Sequence, residues 1–261
     1  MSSFSYPKIT VITICYNCFK GFLDTVMSVR HQNYMNVEHV VIDGGSVDET
    51  PAYLTENKEL FSYSVSEPDS GIYHAMNKGL EHVTGEWVIY LNAGDVFISD
   101  TILNEMVAEY LCKYSEGICT GKVNLYKNGV SLNMTHPRGG GDKENLLLGN
   151  CIAHQASFIH HTVFNRVGNW AEHFKINGDY DFWIRAKKYG ISFHHNEIAL
   201  ANFDYDGISS QRNNYILSLK EQLSILLYYQ YLSVVDACFQ YVKKSLMYHV
   251  KTLVRFLLGL K

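Results

Sequence analysis

The sequence has little of what nucleic-acid-binding or disulfide-stabilised proteins need. It holds 22 lysine and arginine residues against 26 acidic residues, a formal net charge of −4. Because a phosphate backbone is bound by a clustered basic surface, nucleic acid is not expected as a partner. No positively charged leader followed by an apolar stretch opens the chain, and its six cysteines are scattered (Cys15, Cys18, Cys112, Cys119, Cys151 and Cys238). These absences predict a protein of the reducing cytoplasm.

Two further absences argue against redox chemistry. Cys15 and Cys18 form a CxxC pair, but no second pair follows at the spacing of a zinc site, and Cys15 lies in an apolar run typical of a strand. A redox or metal role for this pair is left as the minor alternative. A nicotinamide-dependent oxidoreductase would carry Gly-x-Gly-x-x-Gly after its first strand, and residues 16–21 do not supply it.

The sequence does contain a regular alternation of apolar runs and helical stretches. With 261 residues, 47% of them hydrophobic, it can bury one substantial core. Strands are predicted at residues 9–15, 37–42 and 87–91, and helices at residues 22–32 and 70–82. This order predicts an α/β fold with a mostly parallel sheet flanked by helices. Such sheets bind their ligands outside the carboxyl ends of the strands.

The rest of the chain gives weaker signals. Strands are predicted at residues 117–126 and 156–159, a glycine-rich loop at 139–141 and a helix at 181–188. The composition changes near residue 213. We therefore predict a main domain over residues 1–212 and a C-terminal helical extension over residues 213–261.

Polar residues follow the first two strands. Asp43 precedes Gly44 and Gly45, which let a backbone approach a ligand closely, and its carboxylate can accept from a ring N–H or a ribose hydroxyl. Tyr16 ends the neighbouring strand and can stack on a base. The alternative is a plain turn in which Asp48 caps the next helix.

Asp95 follows the third predicted strand, with Asn92 three positions before it. Oxygen ligands of this kind suit Mg²⁺ or Mn²⁺, which complete their shell with water and diphosphate oxygens. Such an ion neutralises charge on a leaving nucleoside diphosphate. The alternative is that Asp95 caps a helix beginning near Ser99.

Two further segments place polar residues at helix starts. Asp69 and Gly79 suit the start and the stop of one helix, whereas Asn77 is a poor residue for its interior. Asp179 and Asp181 begin another helix, and Asp179 is a candidate general base for sugar transfer onto an alcohol. Helix capping is the alternative for this second pair.

Together these motifs resemble glycosyltransferase family 2, whose members have the Rossmann-like GT-A fold. The chain matches the order of the family's motifs from about residue 9 to residue 202. The matching segments are Thr13-Ile14-Cys15-Tyr16-Asn17, Ile42-Asp43-Gly44-Gly45-Ser46-Val47-Asp48-Glu49-Thr50, Asp69-Ser70-Gly71, Ala75-Met76-Asn77-Lys78-Gly79, residues 85–95 and residues 178–185.

The resemblance implies an inverting, metal-dependent hexosyltransferase of bacterial polysaccharide synthesis, of the colanic acid or capsule type. Its donor would be a nucleotide sugar, by default a UDP-sugar, and its acceptor a saccharide or lipid-linked saccharide. Residues 1–98 would form the nucleotide-binding half and residues 99–212 the acceptor-binding half. A non-catalytic nucleotide-sugar-binding scaffold with the same fold is the alternative.

The resemblance also implies roles for single residues. Tyr16 and Asp43 would hold the base, Asp95 would bind Mn²⁺ or Mg²⁺, and Asp179 would be the catalytic base. The whole donor site would comprise Thr13, Tyr16, Asn17, Asp43, Gly45, Ser46, Asp69, Gly71, Asn77 and Asn92. His154 and Asp181 would contact the acceptor, although a histidine between apolar neighbours is more often a hydrogen-bonded core residue.

The chain departs from the family pattern at three positions. The second aspartate of the early motif is Gly44, the metal motif Asp-x-Asp-Asp reads Asn92-Ala93-Gly94-Asp95, and the glutamate before the base is Gly178. Asp95 is thus left as the one strong metal ligand, so metal affinity is expected to depend on the diphosphate.

Residues 236–261 differ from the rest of the chain. They hold five basic residues and one acidic residue, net +4, and their apolar residues recur at helical spacing. This pattern predicts an amphipathic helix on the inner face of the cytoplasmic membrane, because its charges interrupt the roughly 20 apolar residues that a crossing needs. The alternative is a helix packed on the main domain or on a second copy in a homo-oligomer.

Overall fold

The computed structural model describes residues 6–127, 130–136, 146–147, 149–204 and 214–257. The chain divides into two compact units, Met1–Asp206 and Gly207–Lys261. The glycine-rich loop predicted at residues 139–141 lies outside the described residues.

One mixed sheet forms the centre of the first unit. Its strands within the described ranges are β1 (Ile9–Cys15), β2 (Val37–Asp43), β3 (Tyr63–Ser66), β4 (Trp87–Tyr90), β5 (Val96–Phe97), β6 (Ile118–Lys127), β7 (Val130–His136), β8 (Ser157–His160) and β9 (Phe193–Asp204). Their order is β3-β2-β1-β4-β8-β6-β9-β5, and β7 pairs with β6.

The two halves of the sheet differ in strand direction. The pairs that β1 to β4 form with one another, β1–β2, β1–β4 and β2–β3, are all parallel, as predicted for a mostly parallel sheet. In the second half, β8 is antiparallel to β4 and to β6, while β6 and β9 are parallel. The short strand β5 is antiparallel to β9, and β7 is antiparallel to β6. The predicted α/β sheet is therefore present, with antiparallel pairs confined to its second half.

Helices connect these strands and cover the sheet. They are α1 (Phe19–Arg30), α2 (Thr50–Glu56), α3 (Ile72–Leu80), α4 (Ile102–Met106), α5 (His161–Val167) and α6 (Gly178–Lys188). Single turns lie at Lys58–Leu60, Val107–Leu111 and His154–Ala156. The second unit holds α7 (Tyr215–Tyr228) and α8 (Val234–Leu257), where the rings of Tyr215 and Tyr248 stack at 4.7 Å.

The central position of β1 follows from its sequence. All seven residues of this strand are buried, and both of its neighbours run parallel to it. Of its two threonines, Thr13 is hydrogen-bonded to the ring of His39 on β2, at 2.9 Å. Burial, together with the nearby Arg30 charge, lowers the pKa of His39 to about 3, so this ring is neutral. Thr13 therefore contributes to the interior of the sheet.

The carboxyl ends of β1, β2 and β4 lie side by side, because these strands are parallel neighbours. The backbone amide of Gly44 donates to the carbonyl of Cys15, and that of Ala93 donates to the carbonyl of Ile14. The loops that follow the three strands are thus joined at one edge of the sheet. That edge is where the sequence places its candidate ligand-binding residues.

Candidate active site

The loops after β1 and β2 are fastened to each other. The backbone amide of Asn17 donates to Ser46 Oγ at 2.7 Å, and Asn17 Oδ1 accepts from the amide of Val47 at 2.9 Å. Asn17 has φ of 49°, a left-handed conformation that asparagine tolerates better than most residues. These two hydrogen bonds hold the loops together. Tyr16, which follows β1, remains 66% exposed.

The Asp43 carboxylate is wholly buried and already has three donors. Its Oδ1 accepts from Ser46 Oγ at 2.5 Å, and its Oδ2 accepts from the Ser46 amide at 3.0 Å and from Ser66 Oγ at 2.6 Å. These bonds fix the turn after β2. A direct contact between Asp43 and a base stays a prediction.

Asp69 takes the space that a side chain at Gly44 would need. A Cβ at position 44 would lie 2.5 Å from Asp69 Oδ2 and 3.4 Å from the Tyr16 ring. The other oxygen, Asp69 Oδ1, accepts from the amide of Gly71 at 2.8 Å, which holds the turn into α3. The glycine at position 44 thus leaves room for the Asp69 carboxylate, which lies next to the exposed Tyr16 ring.

The alternative in which Asp95 caps a helix beginning near Ser99 is wrong. Helix α4 begins at Ile102, seven positions later, and Thr101 occupies its N-cap. Asp95 is instead buried in a loop that Thr25 of α1 fixes by donating to the Asp95 carbonyl at 2.7 Å. The loop closes on itself through a bond from the Asp95 amide to the Asn92 carbonyl.

The described residues contain no group of three or more histidine, cysteine or acidic side chains that could enclose a metal ion. The donor set at this edge of the sheet is one buried carboxylate, Asp95, with the Asn92 amide nearby in the chain. Mg²⁺ and Mn²⁺ in nucleotide sites are commonly held by one or two carboxylates plus phosphate oxygens. The residues therefore fit an ion shared with a diphosphate.

Asp179 is buried in the first turn of α6, and the residues around its carboxylate, Tyr73, Asn150 and Tyr180, are called the Asp179 pocket below. Its Oδ1 accepts from the amide of Tyr180 at 2.8 Å, and its Oδ2 accepts from Asn150 Nδ2 at 2.8 Å. The hydroxyl of Tyr73 donates to the Ile176 carbonyl at 2.7 Å and lies 3.4 Å from Asp179 Oδ1. Asn177 occupies the N-cap position of α6 without a side-chain cap bond, and Asp179 satisfies one amide of the first turn, so helix capping stays the alternative to catalysis.

The glycine before Asp179 likewise leaves room for a neighbouring ring. A Cβ at Gly178 would lie 2.7 Å from the ring of Tyr73. Tyr73 and Asn150, neither of which was among the predicted site residues, thus hold the candidate base. Tyr73 lies between two segments that match the family, Asp69–Gly71 and Ala75–Gly79, and a tyrosine hydroxyl usually has a hydrogen-bond partner when it is buried. The sequence around Asn150 gives no comparable signal.

His154 connects the Asp179 pocket to the loop after β4. Its Nε2 lies 3.1 Å from Asn92 Nδ2, and its Nδ1 lies 3.7 Å from Asp179 Oδ2. Asp181, two positions after Asp179, pairs instead with Arg185 at 2.7 Å. The acceptor contacts predicted for His154 and Asp181 stay predictions.

The hydrogen bonds of the Asn77 side chain explain why this residue lies in a helix interior. Its Nδ2 donates to the Trp170 carbonyl at 2.9 Å and to Glu172 Oε1 at 2.7 Å, while its Oδ1 accepts from the Trp170 amide at 2.9 Å. The side chain ties α3 to the segment before α6. Its predicted contact with the donor stays a prediction.

The two cysteines of the CxxC pair have different surroundings, with Cys15 buried and Cys18 exposed. Cys15 and Cys18 are both free thiols. Burial raises the pKa of the Cys15 thiol to about 12, so it stays protonated at neutral pH. Cys15 is accordingly a packing residue of β1.

The comparisons with known proteins define the class of this chain, a glycosyltransferase with the GT-A fold. The family model "Glycosyl transferase family 2" matches residues 10–178, more than half of the chain, and the protein belongs to this family. An uncharacterized glycosyltransferase of Mycobacterium tuberculosis is 34% identical over 214 residues, which are 80% of this chain and 79% of that protein. The predicted family, fold and transferase class are confirmed, and the oxidoreductase alternative is excluded.

Solved structures support the fold. Residues 1–349 of Staphylococcus aureus TarS, in complex with UDP-GlcNAc, give a TM-score of 0.63 at 16% identity, with 84% of this chain and 66% of that fragment covered. The chain spans 40% of a longer TarS structure. A Pyrobaculum calidifontis mannosyltransferase in complex with GDP-Man and Mn²⁺ gives a TM-score of 0.61 at 18% identity, covering 86% of this chain and 65% of that one.

Proposed function

We propose that this protein moves a sugar, with inversion, from a nucleotide sugar to a hydroxyl of a saccharide or lipid-linked saccharide acceptor. The default donor is a UDP-sugar, and the setting is bacterial cell-surface polysaccharide synthesis. One observation carries the proposal. The exposed Tyr16 ring, the Asp69 carboxylate beside it and the buried Asp95 carboxylate lie at one edge of the sheet. His154 joins this edge to Asp179, the candidate base.

Each part of the site has a chemical role in this reaction. The Tyr16 ring would stack on the base, and Asp69 would accept from a base N–H or a ribose hydroxyl. Asp95 would hold Mn²⁺ or Mg²⁺ together with the diphosphate, and the ion would supply neutralisation of the charge on the leaving group. The complexes of similar fold with UDP-GlcNAc and with GDP-Man and Mn²⁺ support this arrangement.

Asp179 would carry out the proton transfer. The acceptor hydroxyl gives its proton to the Asp179 carboxylate while its oxygen attacks the anomeric carbon, and the nucleoside diphosphate leaves from the opposite face. The pocket suits a base of this kind, because the amides of Tyr180 and Asn150 fix both carboxylate oxygens.

A ligand screen tests the proposal. Nucleotide sugars with different bases and sugars are added to the protein with and without Mn²⁺, and the melting temperature is measured. A donor at 100 times its dissociation constant stabilises the native state by about 2.7 kcal/mol. The stabilising donors are then incubated with saccharide acceptors, and the products are identified by mass spectrometry. Binding with no turnover on any acceptor would favour the non-catalytic scaffold.

A substitution at Gly44 tests the nucleotide pocket. In Gly44→Ala the new methyl group meets Asp69 Oδ2 at 2.5 Å, so the carboxylate must move away from Tyr16. We expect nucleotide affinity, measured by calorimetry, to fall about tenfold, the cost of one displaced hydrogen bond to a charged group. In an Asp69→Ala background the same change should cost much less, because the clash is gone. Equal losses in both backgrounds would show that Gly44→Ala does not act through Asp69 and would contradict this reading of the contact.

We further propose that α8 lies on an anionic membrane surface. Apolar residues recur along it and are at least half exposed: Val235, Phe239, Val242, Leu246 and Val250. Lys243 and Lys251 are exposed beside them. Among the described residues, no helix is long and apolar enough to cross a membrane. An exposed apolar stripe flanked by lysines suits the interface of anionic lipids, where a lipid-linked acceptor would be found.

Charge reversal tests the membrane proposal. Each basic residue near an anionic surface contributes about 1 kcal/mol, so Lys243→Glu with Lys251→Glu should weaken binding at least about thirtyfold. Binding is measured by co-sedimentation with vesicles of phosphatidylcholine and phosphatidylglycerol. The control is Lys58→Glu with Lys113→Glu, the same charge change in the first unit, which should bind like the wild type. Equal binding by both double variants would rule out this role of α8.

A further inference from the structure

We propose that His154 is a positioning residue for the base, and that it acts by directing its Nδ1–H at Asp179 Oδ2 while Asn92 holds the opposite side of its ring. This inference rests on the proposed function of Asp179. It assigns His154 a role distinct from binding the acceptor.

Two partners select the same form of the His154 ring. Asn92 Nδ2 lies 3.1 Å from Nε2 and donates to it, so Nε2 carries no proton. On the other side, the Asp179 carboxylate faces Nδ1 and favours a proton on that nitrogen. The hydrogen bond from Asn92 thus selects the Nδ1–H tautomer, and the Asp179 carboxylate, 3.7 Å from Nδ1, favours the same tautomer electrostatically. The ring is poorly exposed, with 15% of its side-chain surface accessible, so water does not replace these partners easily.

The distances around Asp179 leave a place for the acceptor hydroxyl. Oδ2 accepts from Asn150 at 2.8 Å, whereas the Nδ1 of His154 is 3.7 Å away, beyond hydrogen-bonding distance. A carboxylate oxygen has room for two donors, so one position on Oδ2 remains for a hydroxyl. The Nδ1–H of His154 stands beside that position and keeps the carboxylate oriented toward it.

The backbone that carries His154 is itself fixed. His154 begins the turn His154–Ala156, which is closed by a bond from the Ala156 amide to the Ala153 carbonyl and by Ser157 Oγ donating to the same carbonyl at 2.7 Å. Its partner Asn92 belongs to the loop that holds Asp95. His154 thus sets the separation between the candidate base and the candidate metal loop. A displacement of about 1 Å between reacting groups can cost a hundredfold in rate.

Variants of His154 test this role through kcat. We expect His154→Ala to lower kcat about ten- to a hundredfold, with nucleotide affinity unchanged. His154→Asn puts an amide N–H where Nδ1–H was, so it should regain most of the lost rate. The control is His31→Ala, an exposed histidine on the first unit, which should keep the wild-type rate. A wild-type kcat in His154→Ala, or a kcat of His154→Asn as low as that of His154→Ala at equal melting temperature, would overturn the inference.

A double-mutant cycle tests the contribution of Asn92. If Asn92 acts on Asp179 through His154, Asn92→Ala should lower kcat less in the His154→Ala background than in the wild type. Strictly additive effects would contradict the coupling of the two residues.

A measurement without turnover separates this inference from the proposed function. Long-range ¹H–¹⁵N NMR of the ring nitrogens, assigned by the signals missing in His154→Asn, identifies the tautomer of His154. We expect the Nδ1–H form, and an Nε2–H form would overturn the inference even if no donor were ever found. Failure of the wild type to transfer sugar, with the Nδ1–H form present, would instead count against the proposed function.

Discussion

Replacing Asp179 by asparagine should lower the rate of sugar transfer by about 10²–10⁴-fold, the usual contribution of a general base. Asparagine has the shape of aspartate and can still accept from the Tyr180 amide, but it cannot take the acceptor proton. The fold and the affinity for the nucleotide should therefore stay close to those of the wild type. Initial rates with the donor found by the ligand screen, circular dichroism and calorimetry measure these three properties.

Asp181→Asn is the matched comparison on the same helix. Asp181 is buried and pairs with Arg185, which also donates to the carbonyls of Val167 and Asn169. Breaking a buried pair costs about 3–5 kcal/mol of unfolding free energy, so this variant should melt at a lower temperature. Its kcat should change far less than that of Asp179→Asn. A wild-type rate in Asp179→Asn, or a larger loss of rate in Asp181→Asn, would end the assignment of the base.

Replacing Asp95 by alanine should remove the response to a divalent cation. An ion at the leaving group contributes several kcal/mol of transition-state stabilisation, which corresponds to about a thousandfold in rate. The measurement is the transfer rate of EDTA-treated protein as Mn²⁺ is added back. The wild type should recover with increasing Mn²⁺, whereas Asp95→Ala should stay near the EDTA rate over the same range.

Two controls make the Asp95 result specific. Asp100→Ala removes an exposed carboxylate five positions later and should respond to Mn²⁺ like the wild type. Nucleotide affinity measured in EDTA should be similar for the wild type and Asp95→Ala, because the ion is then absent from both. If the EDTA-treated wild type kept its full rate, the metal would have no part in the reaction.

Local patterns predicted much of the first half of the fold. Strands at residues 9–15, 37–42 and 87–91 correspond to β1, β2 and β4, since buried strands of a parallel sheet are continuous apolar runs. The four-residue strand β3 was missed because its alternation of serine with Tyr63 and Val65 is too short to stand out. Helix α1 begins at Phe19, three residues before its predicted start. The carboxylate of Asp48, which lies in the turn after β2, accepts from the Phe19 amide and so stabilises this earlier start.

The family, the transferase class and the order of the motifs were determined by the sequence itself, because each motif is a short run of neighbouring residues. Tertiary structure alone decided which side chains meet. Asp69 fills the space beside Gly44, the Tyr73 ring fills the space beside Gly178, and His154 stands between Asn92 and Asp179. Tyr73 and Asp179 are 106 positions apart in the chain. Contacts of this kind depend on how strands and helices pack in three dimensions, and no local periodicity encodes them.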